Sequence, residues 1–540
     1  HQGFHSEETV QLLQPVSKHS HSPSEEYSDS ESSMLSGLRG SLNSDSHVIL
    51  GDREARNSGK RFWLSFLLQA NERRGLFLFL AIVFLPLMLM TLVAFRGICV
   101  SVHPMAFSSL LSRQILGSPY PCNPGMVCFT YLTLPEDGAR SMIVNFHMAE
   151  RPTSVFAQLE VEGPARTRES DASKDPSVRC SWFKMDNLSS EITRYVAFCD
   201  LAMLTPSTVY SLRVGYESSY HLKERVVGPP LRFRTLPASG PVRFIEAGDM
   251  GVMEDGFKLL TLSGQVSPDL VVLGGDIAYE NGMCTCWPRV DTWLGKWQEL
   301  VVTPDKLTIP LLTVIGNHDG GGWEIQAEDV SFYTYYFPHQ LSLVTPTQQR
   351  SQKSIMKERS FHHSHSLSNH SALFCLDTGV VSPIRSGPQK LPEMVSRFPG
   401  RPNLMSVHHM AIYPAIHWYT PFPLEDRMAF SRAFDEVGIV VGFEHHVHTF
   451  KRTNPIRGGK VVGPGERGTV YVGDGALGLK VRHPVLDPNH EDMFAIAERR
   501  NHFWLVECTD SGILLQAMDP EGVVFDESRI TTVAPLAPAS

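Results

Sequence analysis

The chain has 540 residues, is 42% hydrophobic and 19% charged, and carries a formal net charge of -9. This is ordinary globular composition, with length for roughly three or four structural units. The acidic balance, with no basic stripe interleaved with aromatics, argues against a nucleic-acid partner.

Residues 1–60 are rich in Ser and His and poor in apolar residues, with the acidic run Ser24–Glu31. They are read as a disordered tail, because too little apolar surface is available to offset ordering entropy. Within it Glu8, Leu12 and Leu13 match the pattern of an acidic dileucine sorting signal, a short pattern that also arises by chance. Residues 75–95 form a run without charge. At about 1.5 Å per residue it spans roughly one bilayer core, so a single transmembrane helix is expected, preceded by a juxtamembrane segment, 61–74. Arg53, Arg56, Lys60, Arg61, Arg73 and Arg74 precede it and only Arg96 follows closely. That bias puts the tail in the cytosol and the rest of the chain beyond the membrane, a type II arrangement, with 96–120 as a lumenal linker.

Residues 121–237 alternate apolar and polar over runs such as Met142–Met148 and Val155–Val161, separated by Pro, Gly and Asp turns. They predict an all-β, fibronectin-type sandwich with no chemistry of its own. Ala238–Pro241 reads as a linker. From Val242 the pattern becomes α/β, with apolar strands ending in polar tips and helix-compatible stretches between them. The insertion Leu341–Asn369 is polar and is read as a loop, with His362, His363, His365 and His370 as solvated side chains.

Nine Cys are present. Cys122/Cys128 and Cys180/Cys199 are candidate disulfides, Cys375 and Cys508 sit in apolar runs as buried thiols, and Cys284-Thr285-Cys286 could bind metal but is read as a disulfide or two inert thiols. Sequons at Asn187 and Asn369 are candidate glycosylation sites for a lumenal body.

The strand tips carry the chemistry. They read Gly248-Asp249-Met250-Gly251, Gly275-Asp276-Ile277-Ala278-Tyr279, Gly316-Asn317-His318-Asp319, Val407-His408-His409 and His445-His446-Val447-His448. One such tip is noise, whereas five in order, each closing an apolar strand, describe a convergent metal site. Residues 242–530 resemble a calcineurin-like metallophosphoesterase, specifically a purple acid phosphatase. The β-rich region before them is similar to the domain that precedes the catalytic domain in plant-type members. The resemblance thus covers 121–530 and implies an αββα catalytic sandwich.

It also implies a ligand set. Asp249, Tyr279 and His448 would hold the first metal, Asp276 would bridge both, and Asn317, His446 and a strand-end His would hold the second. His409 is preferred for that last place because Tyr413-Pro414 follows at the family's usual distance, with His408 as the alternative. Such donors suit Fe(III) paired with Zn, Mn or Fe(II). The implied reaction is hydrolysis of phosphate monoesters, with a metal-activated hydroxide attacking phosphorus in line and His318 assisting catalysis. Gly251 stands where many metallophosphoesterases have a metal-binding His, and Tyr279 supplies the purple subgroup's replacement. His445 stands where the family has Gly and is preceded by Glu444. Together with His408 they are candidate pocket residues, and Met410 is a further departure.

The resemblance and the tail together imply an endosomal, lysosomal or vacuolar enzyme, or one at the cell surface, acting on phosphorylated small molecules or phosphoproteins and sorted by cytosolic adaptors. A phosphodiesterase or nucleotide pyrophosphatase using the same cluster is the alternative. A non-enzymatic surface protein is a third reading, against which the full ligand set argues.

Overall fold

The run Leu270–Leu273 is apolar on every residue because both of its faces are covered. Leu270 and Val272 point into one hydrophobic cluster, Val271 and Leu273 into another. A buried parallel strand has this pattern, with alternate side chains sent to opposite layers.

The computed structural model describes residues 119–162, 177–185, 192–220, 225–339, 359–463 and 465–531. The tail with Glu8, Leu12 and Leu13, the juxtamembrane segment, the apolar run 75–95 and Asn187 lie outside the described residues. Among the described residues no helix is long and apolar enough to cross a membrane.

Two sheets pack face to face. In the first, Val242–Ala247, Leu270–Leu273 and Leu311–Thr313 run parallel, with Leu273 opposite both Ala247 and Thr313. In the second, Ser371–Leu376, Asn403–Met410, Val441–His445 and Val470–Gly473 are also parallel. Phe244, Val272 and Leu312 from the first meet Leu373, Val407, Phe443 and Val472 from the second. Helices Glu254–Gln265 and Trp287–Leu300 cover the outer face of the first sheet through Leu259, Trp293 and Trp297. Helices Ser386–Ser396 and Leu424–Val437 cover the second through Leu391, Phe430 and Phe434. This is an αββα sandwich.

The N-terminal β region differs from the expected separate sandwich. With the antiparallel strands Phe503–Thr509, Gly512–Met518 and Val524–Thr531 on its other side, Cys128–Thr133, Ser141–Met148, Tyr195–Ala202 and Ser177–Lys184 extend the first sheet to ten strands, joined where Thr133 pairs in parallel with Leu311. Its other sheet contains Pro152–Val161, Val209–Ser218, Arg225–Val227 and Leu231–Arg234. The reason lies in side chains that alternation does not reveal. Tyr131, Phe183 and Phe198 share a core with Trp293, Tyr335 and Tyr336.

Further expectations need correction. His363 and His365 stand on the edge strand His363–Ser368 rather than in a solvated loop, and all four of His362, His363, His365 and His370 are buried. The polar run hid a strand whose imidazoles bond inward. His365 Nδ1 donates to Pro135 O at 2.9 Å, and its Nε2 lies 2.7 Å from His363 Nδ1. Cys284 and Cys286 are not paired with each other. Cys284 is a free thiol 3.3 Å from Ser331 Oγ, and Cys286 is disulfide-bonded elsewhere. Cys122–Cys128 and Cys180–Cys199 are disulfides, and Cys375 and Cys508 are buried thiols. Asn369 is exposed on the turn after His363–Ser368.

Candidate metal centre

Each candidate ligand stands where a strand stops. Val242–Ala247 leads into Asp249, Leu270–Leu273 into Asp276, and Leu311–Thr313 towards Asn317, which opens the short helix Asn317–Gly320. From the second sheet, Asn403–Met410 carries His408 and His409, and Val441–His445 ends beside His446 and His448. Asp249, Asp276, Tyr279, Asn281, His446 and His448 all hold left-handed backbone, with φ between 53° and 77°. Non-glycine residues adopt that region at a cost of about 1–3 kcal/mol each, and such strain collects at functional sites.

Asp319 stabilises these turns. Its carboxylate accepts N–H groups from Gly316, Asp276 and Ile277, each at 2.8 Å. Burial, followed by the neighbouring Asp276, pushes Asp319 up to about 7. Gly475 supplies clearance. Its φ is +69°, and a Cβ there would fall 1.7 Å from Asp249 Oδ2.

Two groups of donor atoms share Asp276. Asp249, Asp276 and His448 form one, and Asp276, His409 and His446 the other, with the ligand atoms of each group within 4.8 Å of one another. The Tyr279 hydroxyl donates to Asp249 Oδ1 at 3.0 Å and lies 2.9 Å from His448 Nε2. Asn317 Oδ1 is 3.1 Å from His409 Nε2 and 3.0 Å from His446 Nδ1. Neighbouring side chains on a strand face opposite ways, so only one of the paired imidazoles reaches the cluster. His409 Nε2 is 3.4 Å from Asp276 Oδ1, whereas His408 Nε2 is 3.4 Å from Glu444 on the far side of the sheet.

The buried charges are compatible with a bound cation. Burial opposes ionisation of Asp249 and Asp276, yet surrounding imidazoles hold both carboxyls below their ordinary range, chiefly His448 at the first and His409 at the second. Burial opposes protonation of His409, but Asp276 overrides it and lifts His409 to about 10. Burial, then the nearby carboxylates, pushes the Tyr279 phenol well up. Asp276 Oδ2 and His448 Nδ1 are buried without a hydrogen-bond partner. Buried acids with an unpartnered oxygen, ringed by imidazoles, fit a pair of metal ions.

Gly251 lies beside this group: a Cβ there would fall 3.1 Å from Leu479 Cδ2 and 3.3 Å from Arg289 Nη2, and in ordinary contact with the Tyr279 ring at 3.6 Å.

His318 lies on the rim, one-third exposed, its ring 4.4 Å from that of Tyr279 and its Nδ1 bonded to Asn281. The pocket candidates sit deeper. His445 is buried with Nε2 2.7 Å from Glu246, in the space a Cβ on Gly274 would fill. Glu444 is buried against Lys451, whose ammonium also lies 2.8 Å from Asp474. Glu444 accepts Ile412 N–H and Asp474 accepts Ala415 N–H, at 2.7 and 3.0 Å, so this network shapes the loop after His409. Sequence reasoning gave no role to Asp319, Asn281, Lys451 or Asp474. A carboxylate at the third position of the helix Asn317–Gly320 was the available signal for Asp319. The rim aromatics Trp323 and Tyr419, with ring centres 5.5 and 5.3 Å from His446, carried none.

Residues 243–445 match the calcineurin-like phosphoesterase family. The chain is 26% identical over 203 residues to purple acid phosphatase 15 of Arabidopsis thaliana, which covers 34% of this chain. It spans 37% of that relative's length. A purple acid phosphatase from yellow lupin (Lupinus luteus) seeds has a similar fold, with a TM-score of 0.57 and 14% identity over 77% of this chain and 78% of the lupin chain.

Proposed function

We propose that this chain is a dinuclear metallophosphatase of the purple acid type that hydrolyses phosphate monoesters. The observation that carries the reading is the convergence of Asp249, Tyr279, His448, Asn317, His409 and His446 around a shared, buried Asp276. Asp249, Tyr279 and His448 would hold one ion, Asn317, His409 and His446 the other, with Asp276 common to both. When bound, the ions would supply Lewis acidity towards water and the phosphoryl oxygens.

The chain's own groups do the rest. Asp319 and the turn hydrogen bonds fix the donors before substrate arrives, so little reorganisation is needed. His318 sits at the open edge with its Nε2 3.9 Å from Asp276 Oδ2. In its protonated form it is placed to donate from Nε2 to the departing ester oxygen, while Asn281 fixes the ring through Nδ1. Trp323 and Tyr419 flank His446 and limit access to the second-metal side. The disulfides fit an oxidising compartment.

The test is the full chain, loaded with iron and a divalent metal, assayed for metal content, visible absorbance and turnover of p-nitrophenyl phosphate and its diester. About two metals per chain, a coloured product and preference for the monoester are expected. Folded, metal-supplied protein that binds none and turns over nothing would refute the reading, and a diester preference would replace it with the phosphodiesterase. Tyr279→Phe is expected to bleach the visible band while metal is retained.

A further inference from the structure

Beside the metal centre lies a groove of about 450 Å³ walled by Lys480, Val481, Arg482, His483 and Arg499. Its charge is one-signed. Lys480, Arg482 and Arg499 bring three cations to one small wall, and among the described residues none of them forms a carboxylate ion pair, while neighbouring Arg500 faces Glu498. In a chain with a net charge of -9, such an unpaired cluster is a local reversal of sign. Like charges repel unless an anion completes the site.

The groove is also preorganised. Arg499 Nε donates to Val481 O at 3.1 Å and its Nη1 lies 3.3 Å from His483 Nε2. Arg482 is fixed three ways. Its backbone N–H donates to His448 O at 2.8 Å, Nη1 to Val447 O at 2.8 Å and Nη2 to the Tyr419 hydroxyl at 3.0 Å. The guanidinium packs 4.3 Å over the Tyr419 ring, which in turn lies 5.3 Å from the ring of His446. One aromatic ring therefore separates the basic groove from a residue of the metal cluster.

We infer that this groove binds a second phosphate of the substrate, and that the enzyme prefers small molecules bearing two or more phosphates separated by a short scaffold. The inference rests on the hydrolytic reading above. One phosphate would sit at the metal centre while the other accepts charge-assisted hydrogen bonds from Lys480 and the two guanidinium groups. Its position beside the cluster's rim favours a substrate that spans both places over an unrelated anion.

Fructose 1,6-bisphosphate and fructose 6-phosphate make a matched pair, alike in ester chemistry and differing in the second phosphate. For the full chain, kcat/KM is expected to be roughly tenfold higher for the bisphosphate, mainly through KM, the size of a few charge-assisted contacts at a screened surface. The preference should shrink as salt is raised. In the double variant Lys480→Gln with Arg499→Gln, both exposed, the ratio should fall towards unity. Parity in the unaltered chain, or a preference that survives the double variant, overturns the inference. Calorimetric binding of the same two sugars decides the matter independently of turnover. A bisphosphate that binds more tightly than the monophosphate, with the difference lost in the variant, supports the groove even if hydrolysis fails. Equal binding sinks it. Failure to turn over p-nitrophenyl phosphate counts instead against the catalytic reading.

Discussion

His365 shows how much a single buried imidazole contributes. Burial holds it at about 4, and burial likewise pulls His363 and His339 well below the ordinary range. His339 Nδ1 donates to Leu134 O at 3.1 Å, while its Nε2 accepts from Thr313. These contacts engage the ring nitrogens of His339 and His365 in their neutral forms. Between about pH 6.5 and 4 the unfolded chain binds more protons than the folded one. Their stabilising contribution is thus fully present above about pH 6.5 and is lost as the pH falls towards 4. For His365 the shift from 6.5 to about 4 sets an upper bound of about 3 kcal/mol. His363→Gln with His365→Gln is expected to lower stability at pH 8 and to flatten the acid decline. Urea unfolding at pH 8 and pH 5 measures both, and an unaltered slope would remove these groups from the acid response.

The decisive elements are turns. The parallel strands are stiff and in register, so Asp249 and Asp276 leave the first sheet side by side. The left-handed turns then swing the carboxylates inward. The turn after Val470–Gly473 approaches from the other sheet and leaves room for Asp249 only because residue 475 lacks a side chain. Gly475→Ala should therefore disturb the first-metal group while both sheets persist. We expect an unchanged far-ultraviolet circular dichroism spectrum, loss of about one metal per chain and at least a ~100-fold fall in phosphatase turnover, as expected when a positioned group is displaced. Full metal content in the variant would show that the turn relaxes around the added methyl.

Across the whole molecule, the N-terminal β region and the αββα body share one sheet and one core. Arg194, just before Tyr195–Ala202, makes a two-pronged ion pair with Asp291 on helix Trp287–Leu300, at 2.7 and 3.1 Å, with each side chain only 3% exposed. Removing one partner of such a pair leaves a buried charge and costs about 3–5 kcal/mol. Scanning calorimetry is expected to show one transition for 119–531, lowered as a unit by Arg194→Met and partly restored by adding Asp291→Leu. Two transitions, with only one moved by Arg194→Met, would mean that the two regions unfold independently.

By itself the sequence showed the strand tips and the candidate donor residues they carry, with Gly251 and Tyr279 among the residues at those tips. Those features are local, because an apolar run ending in Gly-Asp or Asn-His marks a strand and its tip wherever the strand is placed. Tertiary structure alone decided which strands share a sheet and that the polar run His363–Ser368 is a buried edge strand. It alone separated His409 from His408, placed His445 beneath Gly274, and set Lys480, Arg482 and Arg499 beside the cluster. Each depends on contacts between residues far apart in the chain, and residue order does not encode the direction in which a side chain meets its partner.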